Sequence, residues 1–436
     1  MTAASCCKTE NRRIITRRGV IWLGQTCNLH CHFCYFLDRI KSQEHPEHPF
    51  MSLEKAKKIC RILADVYGNN AVDIQGGEPT IYPGIVDLVS YCREIGLLPT
   101  LITNALVLDN RERCKNLRNA GLRDFLVSVH GIGATFDAIV GVHGAHVRQM
   151  KALDNLQALD IPFRFNCVLS KPALPQLLDI ARLADRSGCR VVNFIAFNPF
   201  EDQQKQGMRS VANVPRYIDV AAYLKDALDF LDDVGIECNV RYLPLCMVEE
   251  RHRKSMYNFQ QLSYDIHEWD FASWSWSGLR SQRMRDGGLS SPVSLEEANR
   301  QPLVIPEWLR SIAGKFREKL SRYPEFLRAT VFMSRTIGGL VASRIEGECG
   351  ELDPQEQLYR TNARIRARYH CNYRYSTACS CCSVKGICDG FHGDYASLFG
   401  VDEAIPVQSD TLVDDPKFYI NSQLKIVEEE DHDWAS

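Results

Sequence analysis

The chain has 436 residues, 45% hydrophobic and 24% charged, which fits a large globular domain with a smaller companion and excludes a disordered or fibrous chain. Lys plus Arg number 52 against 54 Asp plus Glu, a balance that argues against a broad nucleic-acid or anionic-membrane surface. No signal-peptide core stands in the first residues and no apolar run approaches the ~20 residues that cross a bilayer, so the 18 cysteines are expected to be reduced thiols of a cytoplasmic protein.

Residues 1–14, with Cys6 and Cys7, read as a flexible leader. Thereafter short β-branched runs alternate with helix-period segments such as 177–186, the pattern of repeated strand–helix units around a parallel sheet. Strands are expected at 20–25, 72–75, 100–103, 125–129, 164–168 and 191–196. After the first strand, Cys27-Asn28-Leu29-His30-Cys31-His32-Phe33-Cys34 crowds three thiols into a polar loop. An iron–sulfur cube takes four ligands, so three thiols leave one iron open. Open coordination marks a site that binds substrate or cofactor. The same thiols with His30 or His32 also suit zinc. Gln75-Gly76-Gly77-Glu78-Pro79 closes the second strand and by itself is a turn.

Taken together, Cys-x3-Cys-x2-Cys with Phe33 before its last cysteine, then Gly-Gly-Glu-Pro, resembles the signature of the radical S-adenosylmethionine (radical SAM) superfamily. The resemblance implies an α/β fold, a partial (β/α)6 TIM-type barrel over residues 15–210, three quarters of a closed one. It also implies that Cys27, Cys31 and Cys34 hold a 4Fe-4S cluster whose fourth iron is chelated by SAM. An electron from a flavodoxin or ferredoxin type donor then cleaves SAM to a 5'-deoxyadenosyl radical. Parallel α/β barrels place their sites at the C-terminal ends of the strands, and the motifs fall there. By resemblance, Gly76, Gly77 and Glu78 hold the methionyl amino group, the glycine backbone leaving room for SAM. Ser128, His130 and Asn166 are candidates for its ribose or carboxylate, and Phe33 and Ile195 for its adenine. Thr103-Asn104 and Asn198 also lie at strand ends. Each polar residue taken alone serves equally as a cap or turn.

Residues 211–235 read as a linking helix, with Tyr217, Val220, Leu224, Leu228 and Leu231 at helical spacing and Gly235 as its stop. A strand at 237–242 opens a second region, 236–400, and delivers Cys246. The stretch to about Pro306, with Trp269, Trp274 and Trp276, has no clear period and reads equally as a lid or an irregular layer within a helical insertion. Cys379-x2-Cys382-x5-Cys388 followed by Asp389-Gly390 has metal-site spacing and resembles the SPASM and twitch domains, which carry auxiliary 4Fe-4S clusters. A full SPASM pattern has a further cysteine where His392 stands. Cys246, Cys371, Cys381, Cys349 and His392 are candidates for the fourth ligand of one auxiliary cluster. Cys246 is favoured because the family's first auxiliary ligand follows the barrel just after a strand. A zinc knuckle fits the same composition. Residues 401–436 read as a polar, acidic tail.

The expected activity is hydrogen abstraction from carbon in a small polar biosynthetic intermediate, with net oxidation or bond formation assisted by the auxiliary cluster. About 25 residues precede the cysteine loop, fewer than the ~80 of an autonomous recognition domain, which weighs toward a small molecule. A maturase of a ribosomally made peptide is the alternative within the class, and a non-enzymatic electron carrier is the alternative outside it. No acid–base residue is assigned; Glu249, His252 and Tyr257 merely stand near Cys246.

Overall fold

The computed structural model describes residues 7–9, 18–34, 48–65, 69–197, 209–262, 264–265, 272–274, 281–282, 360, 363–364, 367–368 and 371–427. In chain order the barrel part runs β1 (Cys7–Thr9), β2 (Arg18–Trp22), α1 (Leu53–Asp65), β3 (Ala71–Gln75), α2 (Ile85–Glu94), β4 (Leu98–Thr103), α3 (Arg111–Asn119), β5 (Asp124–Ser128), α4 (Ala134–Val140), α5 (Ala145–Ala158), β6 (Phe163–Leu169), α6 (Leu177–Ser187), β7 (Val191–Ala196), α7 (Tyr217–Val234) and β8 (Glu237–Arg241). Short elements follow: β9 (Met256–Tyr257), α8 (Phe259–Leu262), β10 (Ala272–Trp274), β11 (Ser281–Gln282), α9 (Gly393–Phe399) and β12 (Lys425–Val427).

The large sheet has the strand order β11-β10-β2-β3-β4-β5-β6-β7-β8-β9, and every pairing from β10 through β9 is parallel. The six strands expected from β-branched runs are β2 to β7 in sequence order. This is the partial-barrel α/β fold. The helices cover its outside with one apolar stripe each: α6 buries Leu177, Ile180, Ala181, Leu183 and Ala184 against the sheet, each large side chain contributing roughly 1.5–3 kcal/mol. Gly188 takes the left-handed conformation that ends that helix.

The strand expected to open the second region instead continues the barrel. Glu237–Arg241 pairs with β7 in the register Val191↔Glu237 to Ile195↔Arg241. Hydrophobic period identifies a strand but not its neighbour, and the connection through α7 is a helical crossover between parallel strands like the others. Of the tryptophan-bearing stretch, Ala272–Trp274 pairs with β2 at the other edge, while Trp269, Trp276, Asn198 and Cys349 lie outside the described residues.

At the N-terminal end of the strands, buried charges tie the sheet together. Arg18 donates to Asp73 and, at 2.9 Å, to Thr100; Thr100 donates to Asp124, which also pairs with Arg164 at 2.6 Å and Arg123 at 3.2 Å. Burial alone would raise the Asp124 carboxyl, but Arg164, Arg123 and Arg18 outweigh it and hold the group well below the usual carboxylate range.

The C-terminal segment folds back onto the barrel. Tyr217, opening α7, stacks on Tyr395 of α9 with ring centroids 3.6 Å apart, and its N–H donates to the Tyr395 hydroxyl at 2.8 Å. Glu403 accepts from Ile218 N–H at 3.1 Å and from the Tyr395 hydroxyl at 3.0 Å, so one acidic side chain satisfies a helix N-terminus and a docking contact. Within the expected tail, Lys425 is buried against Glu237 and Asp265, and β12 pairs antiparallel with β1 of the expected leader. Among the described residues no helix is long and apolar enough to cross a membrane.

Candidate active site

The cysteine loop sits at the C-terminal mouth of the sheet, and backbone bonds help to hold it there. His30 N–H and His32 N–H donate to the carbonyls of Val140 and Ile139 at the end of α4, at 2.8 and 3.2 Å. Glu78 N–H donates to the Thr26 carbonyl at 2.8 Å, which fastens the Gly-Gly turn to the residue before Cys27. Gly77 adopts φ +46°, and a Cβ there would lie 2.0 Å from the Thr26 oxygen; one on Gly76 would lie 2.9 Å from the Gly24 oxygen. The glycines are therefore required by the close approach of the turn to the cysteine loop, a more immediate reason than room for SAM.

Glu78 is buried with both carboxylate oxygens in use. One accepts from Thr80 N–H at 3.0 Å and from the Thr80 and Thr103 hydroxyls; the other accepts from Asn104 N–H at 2.8 Å. Burial raises its pKa, and these bonds oppose the rise. What Glu78 offers a ligand is its backbone, since its side chain braces β3 to β4. Asn104 extends the brace by donating to Asn28 Oδ1 at 2.7 Å inside the cysteine loop. Gln149 of α5 donates to the carbonyls of Asn104 at 3.0 Å and Ser128 at 2.8 Å.

Burial comes first, then Glu78 and Cys34, in pushing the Cys27 thiol up to about 12; burial, Cys34 and Cys27 raise Cys31 well above the ordinary thiol. The three sulfurs thus feel one another, and their thiolates need a cationic centre among them. His32 Nδ1 faces the Ile139 carbonyl at 3.3 Å and His30 is exposed. Among the described residues no three His, Cys, Asp or Glu side chains stand close enough together, as placed, to hold a single metal ion.

Around the loop, Phe33 makes edge contacts with His130 at 4.7 Å and Phe197 at 6.0 Å between centroids. His130 is pushed down to about 3, by burial and then by His32; its Nδ1 accepts from Val168 N–H at 3.2 Å, which assigns the proton to Nε2. Ser128, Asn166, Asn193 and Asn239 pair in register across β5 to β8 and so share one sheet face; Val168, Ile195, Arg241 and Tyr257 form the next rung. Asn166 Oδ1 and both amide atoms of the fully buried Gln25 have no hydrogen-bond partner among the described residues. Three thiols, a glycine turn and unspent polar atoms at one mouth are a donor set that suits a cluster and a polar ligand beside it. Gln25, Gln149 and Asn28 were not singled out by sequence, whereas Asn104 was placed at a strand end without a role.

The second group of thiols borders one cavity: Cys246, Cys379, Cys382 and Cys388 all line it, with Tyr375, Lys385, Phe391 and Ile405 among the other lining residues. Burial and then Cys379 and Cys382 raise the Cys246 thiol, and burial and then Cys246 raise Cys388. Backbone N–H groups already point at the sulfurs, from Val407 to Cys382 at 3.4 Å, Ile405 to Cys246, and Leu245 and Gly390 to Cys388. The other candidates are placed differently. His392 Nδ1 accepts from Asp394 N–H as the cap of α9, Cys381 is exposed and donates to the Ala378 carbonyl at 3.3 Å, and Cys371 is not among the cavity's lining residues. Near Cys246, Glu249 pairs with Lys225, His252 with Asp229 and Tyr257 with Gln423, so all three have structural employment.

Residues 23–184 match the model of the Radical SAM superfamily. That segment is similar to the radical SAM domain, whose cofactors are a 4Fe-4S cluster and SAM. PqqA peptide cyclase of Bradyrhizobium diazoefficiens is 32% identical over 162 residues, 36% of this chain and 40% of that one. Fe-coproporphyrin III synthase of Methanosarcina barkeri is 32% identical over 167 residues, 37% of this chain and 40% of that one. Among solved structures, Streptococcus suis SuiB bound to S-adenosylmethionine superposes with a TM-score of 0.43 at 19% identity, over 52% of this chain and 50% of that one. The chain thus spans 40% of the length of these curated relatives.

Proposed function

We propose that the chain is a radical SAM enzyme that abstracts hydrogen from carbon and completes the reaction with an auxiliary 4Fe-4S cluster held by Cys246, Cys379, Cys382 and Cys388. The observation that carries the first half is the three-thiol loop Cys27, Cys31, Cys34 fastened to the Gly76-Gly77 turn at the sheet's C-terminal mouth. The one that supports the second is the convergence of four cysteines, from positions as distant as 246 and 388, on a single cavity.

When bound, the cluster and SAM supply an electron and a carbon radical oxidant, because one-electron cleavage of the sulfonium yields methionine and a 5'-deoxyadenosyl radical. The protein's residues prepare that chemistry. Cys27, Cys31 and Cys34 would hold three irons; Glu78, Asn104 and Gln149 fix the loop that presents them. The backbone of Gly76 to Glu78 and the unspent atoms of Gln25 and Asn166 would receive SAM's polar groups, with His130 Nε2–H as a donor and Ser128 beside it. Phe33, Phe197 and Ile195 supply apolar walls that keep water from a reactive radical. The four auxiliary thiols, with Cys246 within electrostatic reach of the other three, would complete a cluster's coordination, and such a cluster is suited to accepting an electron from substrate. A flavodoxin or ferredoxin type protein would deliver the initiating electron, and the cytoplasm would be its compartment.

The substrate in this reading is a small polar biosynthetic intermediate. A precursor peptide is the second reading, favoured by the relatives named PqqA peptide cyclase. The names of the relatives specify a peptide, an iron porphyrin and GTP, which share no chemistry, so the matched domain speaks to SAM cleavage and leaves the substrate to the rest of the chain. Anaerobic incubation with SAM and dithionite should release 5'-deoxyadenosine, and its rate should rise when pooled metabolites or peptides contain the substrate. Failure to cleave SAM in iron-replete protein would return the chain to the electron-carrier reading.

A further inference from the structure

One buried cation reaches the cysteine loop from outside the barrel motifs. Arg209, 5% exposed, donates from Nη2 to the carbonyl of Phe33, the residue before Cys34. Its guanidinium lies 4.8 Å from the centroid of the Phe197 ring, which makes edge contacts with both Phe33 and His32. It is also close enough to His392, in the C-terminal segment, for its charge to join burial in pushing that imidazole down to about 4. Arg209 therefore stands where the cysteine loop, the end of β7 and the C-terminal segment meet.

We propose that Arg209 is a positioning residue that sets the placement of Cys34 and raises the reduction potential of the cluster bound by Cys27, Cys31 and Cys34. The inference rests on the radical SAM reading above. Reduction adds negative charge to a site already carrying three thiolates, and a fixed cation in a water-poor surround favours the reduced form. A guanidinium keeps its charge when buried, and its planar fork suits both a carbonyl and an aromatic face. A merely structural arginine would hold the loop without moving the potential.

The test is an anaerobic redox titration of the full chain, followed by electron paramagnetic resonance on the cluster whose signal changes when SAM is added. Arg209→Gln retains an N–H donor and removes the charge; Arg209→Lys retains the charge. The expected result is a more negative midpoint potential in Arg209→Gln and a wild-type midpoint in Arg209→Lys, with iron content unchanged in both. A wild-type potential in Arg209→Gln overturns the proposal. Should Arg209→Gln not load this cluster, an Arg209→Lys variant that loads and titrates like wild type upholds it, and one that also fails to load overturns it. Absence of any SAM-sensitive signal in the wild-type protein would instead bring down the functional reading itself.

Discussion

A single methyl group at position 77 tests how the site is built. With φ +46° and a Cβ position 2.0 Å from the Thr26 oxygen, Gly77→Ala must push the cysteine loop away as well as bear a left-handed strain of ~1–2 kcal/mol. We expect loss of iron from the cysteine loop together with SAM cleavage, while C-terminal iron remains; full iron with only weakened SAM binding would show that the turn serves SAM alone. The fourth auxiliary ligand separates in the same way. Cys246→Ala should lower auxiliary cluster occupancy or change its spectrum, whereas His392→Ala, which loses a helix cap, should cost about 1 kcal/mol of stability and leave iron in place. Unchanged spectra in Cys246→Ala would redirect the ligand to another candidate.

Across elements, the charged layer under β2 to β6 makes stability depend on pH in a definite direction. Asp124 is depressed in the folded chain, so its contribution is present above the unfolded carboxyl value of about 3.9 and is lost as pH falls below it. Denaturant melts between about pH 5 and 2 should show stability falling with acidity, and Asp124→Asn should flatten that slope while destabilising by ~3–5 kcal/mol, because Arg164 and Arg123 lose their counter-charge. An unaltered slope in the variant would place the acid sensitivity elsewhere. The same elements mark what sequence can reveal. β2 to β7 were legible because each is a short apolar run bounded by turn residues, and the two motifs because their residues are contiguous. β8 was legible as a strand but not as a barrel strand, since its partner β7 is set by the crossover through α7. Gln149 and Arg209 gave no signal at all, because what makes them matter is proximity to residues 21 to 176 positions away in the chain. Cys246 was already favoured over His392 from its place after a strand, and it is Cys246 rather than His392 that lines the cavity with Cys379, Cys382 and Cys388.

At the scale of the molecule, the barrel mouth and the auxiliary cavity are joined by packed contacts rather than by a free linker. Cys246 follows β8 directly, Tyr217 stacks on Tyr395, and Asp389, next to Cys388, accepts from Phe259 N–H at 2.7 Å and Gln260 at 3.1 Å. Burial raises Asp389 to about 6, with those bonds opposing. Packing of this kind would keep the two thiol groups in a fixed relation, as the proposed passage of an electron to a second cluster requires. Two full cubanes correspond to about eight irons per chain.

The account stands or falls on the separateness of the two thiol groups and on SAM cleavage at the first. The most direct measurement is 5'-deoxyadenosine formation and iron content in a variant with Cys27, Cys31 and Cys34 all replaced by Ala, reconstituted beside the wild type. The prediction is no 5'-deoxyadenosine and about four irons retained per chain; undiminished SAM cleavage by that variant would contradict the assignment.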